Sequence, residues 1–157
     1  MSFNPNQFEQ TRPVGELDLQ TNPNPSVMTV RIDPASEATF VPGQGVKFVD
    51  KGASDPGGVP IVGVRSGNTD QLDGIIVFST KKAEFVANDL VQIAGNGVVM
   101  VLLAGATLAR GVDVTLDNSN AGEFLAVTTA TKAGTLIDKV ADGDQGRIRL
   151  QFVEAST

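Results

Sequence analysis

The amino-acid sequence predicts an all-β fold: a small antiparallel β-barrel or sandwich of two related β units, preceded by an extended N-terminal arm. Three observations carry that expectation. From residue 27 onward, short runs rich in Val and Ile recur at turn-punctuated intervals. No long amphipathic stretch interrupts them, and 17 Gly and 8 Pro supply the tight turns that many short strands need. At 157 residues the chain is long enough for one domain with a proper core, so residues 27–157 are expected to form a single β domain.

Residues 1–26 differ in composition. They are rich in Asn, Gln and Pro (Pro5, Pro13, Pro23, Pro25), and their large apolar residues are few: Phe3, Phe8, Val14, Leu17 and Leu19. Ordering a segment costs about 1 kcal/mol or more per residue in backbone entropy, whereas one buried Leu or Phe returns about 1.5–3 kcal/mol. The arm therefore cannot fold by itself. It is either a loose tail or an extended arm that orders on a neighbouring chain, and the prolines favour the second by keeping it extended. On that reading Phe3, Phe8, Val14, Leu17 and Leu19 are the candidate contacts to a sister subunit or to a larger assembly.

The expected strands follow in order. Residues 27–32 are β-rich and stop at Asp33-Pro34, and 46–49 follow the turn Pro42-Gly43-Gln44-Gly45. Further strands are expected at 59–64, 75–79, 90–94, 98–103, 112–116, 123–129, 136–140 and 147–153. Val112, Val114 and Leu116 share one face. Ile148, Leu150 and Phe152 share another, opposite Arg147, Arg149 and Gln151, the alternation of a sheet buried on one side. Gly95-Asn96-Gly97 reads as a hairpin turn, as does the longer run from Asp117 to Gly122.

A degenerate repeat runs through these strands. Segments 38–48, 83–93 and 106–116 each begin with Ala, carry an apolar residue two places later, and have Gly or Asn at the sixth place (Gly43, Asn88, Gly111). Each then has Val at the ninth and an apolar residue at the eleventh. This reads as a strand end, a turn whose sixth residue needs positive φ, and a strand with two inward side chains. The first and third copies are followed by similar tails, 61–64 with 74–78 and 136–140 with 146–150. Two related β units joined by a hairpin would produce this pattern, and so would chance similarity among Val- and Gly-rich strands.

Several function classes are disfavoured by what the chain lacks. It has no His, Cys, Trp or Tyr, which removes the commonest general acid–base group, thiol nucleophiles and most zinc ligands. No catalytic residue, cofactor or metal site is expected, and no small-molecule substrate. A formal charge of −6 argues against a nucleic-acid partner, and Lys81-Lys82 reads as a solvated strand end. The N-terminus lacks a secretory pattern, and the apolar run 98–106 falls far short of the roughly 20 residues of a membrane span, so no membrane partner is expected. Gly43-Gln44-Gly45 lacks the rest of a dinucleotide fingerprint. Asp113–Asp117 and Asp142–Asp144 do not have calcium-loop spacing, and Asp142-Gly143-Asp144 reads as a turn. Val64-Arg65-Ser66-Gly67 and the stretch from Gly134 to Asp138 resemble motifs of trimeric dUTP pyrophosphatases, but they stand too far apart and the family's tyrosine is missing.

Residues 38–152 resemble the capsid cement, or head decoration, proteins of tailed double-stranded DNA phages. The resemblance lies in Ala-x-Phe-Val-x-Gly-x-x-Val-x-Phe (38–48), Ile61-Val62-Gly63-Val64, the segment 88–93 with its Gly-Asn-Gly turn, and Gly-x-x-Val-x-Leu (111–116). It implies a non-enzymatic virion protein, usually a homotrimer, made in the bacterial cytoplasm. Such proteins sit on the outer capsid surface and clamp adjacent copies of the major capsid protein. A phage tail or fibre component is the alternative β-structural role.

Overall fold

The computed structural model describes residues 12–22, 25–49 and 58–155. Ten strands form: β1 (Val27–Ile32), β2 (Gly45–Phe48), β3 (Ile61–Val64), β4 (Gly74–Ile76), β5 (Leu90–Ala94), β6 (Val99–Ala104), β7 (Asp113–Leu116), β8 (Glu123–Ala126), β9 (Lys132–Leu136) and β10 (Gln145–Val153). They close into two five-stranded barrels, ordered β1-β3-β2-β4-β5 and β6-β8-β7-β9-β10. The all-β expectation and the expectation of two related units both hold. The segment expected as one β domain, 27–157, holds both barrels.

Each barrel contains one parallel pair, β1·β3 and β6·β8, among otherwise antiparallel neighbours. An odd ring explains the departure from a purely antiparallel sheet. Five strands cannot alternate direction all the way round, so closure forces two neighbours to run the same way.

The barrels are copies of one another, strand for strand. Val46 pairs with Gly74 in the first, as Val114 pairs with Gly134 in the second. Arg31 pairs with both Ile61 and Leu90, as Leu103 pairs with both Glu123 and Gln145. The repeated segments supply the matching turns. Gly43, Asn88 and Gly111 have φ of 86°, 71° and 87°, the left-handed region anticipated for the sixth place. A fourth copy, 138–148, escapes notice in the sequence because Ala is replaced by Asp138 and Val by Gly146, yet its Gly143 has φ of 89°. Within each barrel the two turns face each other through an isolated bridge, Phe40 with Phe85 and Leu108 with Val140. Asp89 and Asp144 cap equivalent turns, accepting hydrogen bonds from the Val86 and Ala141 amides at 2.9 and 3.0 Å.

Three details of the sequence reading need correction. Gly95-Asn96-Gly97 is not a hairpin turn, because β5 and β6 pair within different barrels; it is the crossing between them. The ninth strand is Lys132–Leu136 rather than 136–140. Gly134 disguises it, and glycine is required there because a Cβ would land on the Arg149 carbonyl of β10. The tails align differently in consequence: the counterpart of β3 in the second barrel is β8, and that of β4 is β9.

The first barrel packs Val30, Ile32, Phe40, Val46, Val62, Ile76, Phe85, Val91 and Ile93 in its interior. A larger cluster fills the second barrel and takes in Leu72, Ile75, Val77 and Ala94 from the first, so the two share one apolar seam.

Candidate interaction surfaces

Residues 12–22 lie on the second barrel as a strap. The strap exists because β8 covers only the C-terminal half of β6, leaving the edge of Val99–Val101 open. Gly15 donates to the Val101 carbonyl at 2.8 Å, Val101 donates to Glu16 at 2.9 Å, and Asp18 donates to Val99 at 2.9 Å, with Leu17 bridged to Met100. Val14 enters a cradle of glycines: a Cβ on Gly43 or Gly122 would meet its Cγ1 at 2.6 or 2.8 Å. The candidate contact residues thus separate. Val14 and Leu17 pack on the chain's own core, Leu19 is 54% exposed, and Phe3 and Phe8 lie outside the described residues.

An ionic clamp holds the strap. Asp18, 3% exposed, accepts hydrogen bonds from Thr21 Oγ1 at 2.6 Å and Arg147 Nη1 at 3.3 Å, and lies 3.7 Å from Arg12. Arg147 reaches Asp138 with two further nitrogens at 2.8 and 3.0 Å. The Arg147 guanidinium is held more firmly protonated than usual, first by its bonds to Asp138 and then by those to Asp18. Burial pushes the Asp18 carboxyl up, but the bonds from Thr21 and Arg147 and the two nearby cations outweigh it and hold it down. The bonds from Arg147 likewise lower Asp138. Nothing in local sequence joins Asp18 to Arg147; only the fold does.

The connection between β3 and β4 ties the barrels together. Arg65, 2% exposed, donates to the carbonyls of Gln71 at 3.1 Å and Asp70 at 2.9 Å, which wraps its loop around the guanidinium. The outer side of that loop holds the second barrel: Asn68 Oδ1 accepts from the Asn118 amide at 2.7 Å, and the Asp70 carbonyl from Thr131 Oγ1 at 2.9 Å. The Asp70 carboxylate takes Lys47 at 2.8 Å and the Ser66 amide at 2.8 Å, and these hold it far below the usual carboxylate range. Arg65 and Asp138, the residues that resemble dUTP pyrophosphatase motifs, are therefore engaged in binding their own chain.

The carboxyls of Asp18, Asp70, Asp89 and Asp138 are all depressed. In the unfolded chain they titrate near 3.9. Their contribution to stability is therefore complete above about pH 4 and is lost as pH falls through the lower folded values. The thermal midpoint should hold steady from pH 7 to about 5 and drop between about 4 and 2. Asp70→Asn should flatten that drop. An equal midpoint at pH 6 and pH 2.5 would refute this account.

Among the described residues no group of three or more Asp or Glu is placed to hold a metal ion, and no helix is long and apolar enough to cross a membrane. Lys82 pairs with Asp89 at 2.7 Å. The large apolar side chains exposed among the described residues are Val27, Met28, Val64, Phe78, Val86 and Leu90 on the first barrel, Leu19 on the strap and Val153 at the end of β10. Phe78 and Leu90 border an open groove of about 390 Å³ with Thr29, Lys81 and Gln92.

By fold, the chain is a tandem five-stranded β-barrel protein with a pinned N-terminal strap. Comparison with solved structures finds a similar fold in a phage protein. The crystal structure of the head fiber gp8.5 N base in bacteriophage phi29 superposes with a TM-score of 0.53 at 12% sequence identity, covering 84% of this chain and 98% of that one. No protein-family profile and no curated protein sequence matches.

Proposed function

We propose that this chain is a non-enzymatic structural protein of a tailed-phage virion, carried on the outside of the head, where it binds the major capsid protein. The observation that carries the reading is the likeness of most of this chain to nearly all of a head fiber base. The polar side chains agree with it, since Arg65, Asp70, Asp138 and Arg147 are committed to joining parts of their own chain. Two roles fit a head protein. A cement protein clamps neighbouring capsid subunits, the role implied by the resemblance of residues 38–152 to decoration proteins. A fibre base anchors a projecting appendage, the role that the phi29 neighbour favours.

Attachment to a symmetric shell needs no deep pocket. A homotrimer with three equivalent footholds gains effective concentration from each, so weak contacts add up to firm attachment. Immunogold labelling of virions carrying an epitope-tagged copy should decorate heads and leave tails bare. Virions lacking the protein separate the two roles: as a cement its loss should lower the temperature at which heads release DNA, and as a fibre base its loss should leave that temperature unchanged. Label on tails, or absence from purified virions, would overturn the proposal.

A further inference from the structure

Equivalent positions in the two barrels differ in one respect. By strand register, Val27, Met28 and Thr29 of β1 correspond to Val99, Met100 and Val101 of β6. Val99 and Met100 are 1% and 0% exposed, whereas Val27 and Met28 are 38% and 46% exposed. The backbone shows why. Ile32 donates to the Asp89 carbonyl, so the even-numbered residues of β1 turn their amides toward β5 and the odd-numbered ones turn away. On that outer side Arg31 donates to Pro60 at 2.9 Å, as Leu103 donates to Gly122 at 2.9 Å in the second barrel. The next groups outward on β6, at Val101 and Val99, are taken by the strap. Among the described residues, the matching N–H and C=O of Thr29 and the C=O of Val27 meet no partner. The first barrel has the strap's acceptor edge without a strap.

We infer that the β1 edge at Val27–Thr29 is a docking site for residues 1–11 of a second copy of this chain, added as a strand. An open edge flanked by exposed apolar side chains invites pairing with an extended segment. The chain has such a segment. Eleven residues precede the strap and can span about 36 Å when extended. They carry Phe3 and Phe8, apolar anchors that suit exposed Val27 and the groove that Thr29 shares with Phe78 and Leu90. The segment leaves from Arg12, which is pinned to the second barrel by its amide bond to Gln145 Oε1 at 2.9 Å. One copy's second barrel thus donates to the next copy's first barrel. Such a head-to-tail contact is heterologous and closes as a ring when the rotation between copies allows it; a ring of three rests on the homotrimer of the proposed function.

The test uses two variants that break opposite halves of the contact. Deleting residues 1–11 removes the donor. Thr29→Pro removes the outward N–H while sparing the β1·β5 ladder, which runs through Met28 and Val30; Val27→Lys with Thr29→Lys is the second acceptor variant, should proline unfold the barrel. Circular dichroism and thermal midpoints establish which variants are folded. At tens of micromolar, light scattering should give three times 16.3 kDa for the wild type and a monomer for each folded variant. An equimolar mixture of the deletion and an acceptor variant should form a one-to-one complex, since one keeps the edge and the other the segment. A monomeric wild type, acceptor variants that associate like wild type, or a mixture that stays monomeric would each overturn the inference. A wild-type monomer whose Thr29 amide exchanges slowly, and faster once residues 1–11 are deleted, would place the segment on its own edge instead.

Discussion

Replacing Gly134 by alanine should destabilise the protein by about 3 kcal/mol or more, toward the upper end of overpacking costs because the obstacle is backbone. The new methyl would fall on the Arg149 carbonyl of β10 and within 2.8 Å of Ile148 Cγ2. No rotamer change relieves a clash with a neighbouring strand, so β9 and β10 would have to part where Leu150 and Gly134 pair. The equivalent glycine of the first barrel supplies a graded comparison. At Gly74 a Cβ meets the Ile93 side chain at 2.5 Å, and a side chain gives way more easily than a strand. Gly95→Ala, with open space around it and no positive φ, should be nearly neutral. Urea unfolding should rank the midpoints Gly134→Ala, then Gly74→Ala, then Gly95→Ala close to wild type. Equal midpoints for the first and the last would show that β9 and β10 do not pack this closely.

The second large effect is expected at Arg147. Arg147→Met keeps the length of the stem but strips the cation from Asp18 and Asp138, leaving Asp18, 3% exposed, with Thr21 and a more distant Arg12. Breaking a buried pair costs several kcal/mol, but the Arg147 side chain is 37% exposed and water screens part of the interaction. A loss of about 1–3 kcal/mol follows, comparable to hydrogen bonds made by a charged group. The damage should be local as well as global. Hydrogen exchange at the Val101 amide, which donates to Glu16 of the strap, should quicken before the rest of the second barrel loosens. If Arg147→Met leaves both the stability and the Val101 exchange rate unchanged, the clamp does not hold the strap.

The strands and turns were legible where one local requirement restricts residue choice. Positive φ at the sixth place of the repeat admits little besides Gly and Asn, and Gly43, Asn88 and Gly111 stood out for that reason. The alternation of Ile148, Leu150 and Phe152 marked β10 because one face is buried and the other is wet. Barrel membership was not legible: Gly95-Asn96-Gly97 reverses the chain in the same way whether its flanking strands pair or part. β9 was missed because the property that matters at Gly134, the absence of a side chain, is also what makes a segment look unlike a strand. Apolarity alone marks the candidate contact residues, and it places neither end of a contact. Val14 and Leu17 found glycines and β6 of their own chain through spacings of many tens of residues. The Asp18–Arg147 clamp spans 129 positions and leaves no local trace.

The strap also orders events during synthesis. All five strands of the first barrel have been made once Ala94 is in place, and domains generally form as they emerge, N-terminal part first. Residues 12–22 are translated before any of this, and their partners follow in stages: Phe78, whose amide donates to Gly15, with the first barrel, then Val99 and Val101, and only much later Gln145 and Arg147. A segment made before both barrels is therefore fully fastened only when Arg147 is in place. Until Arg147 leaves the ribosome, Asp18 lacks its strongest counter-ion, so a chain that stops at Gly146 would lay the strap on β6 without the clamp that holds it there.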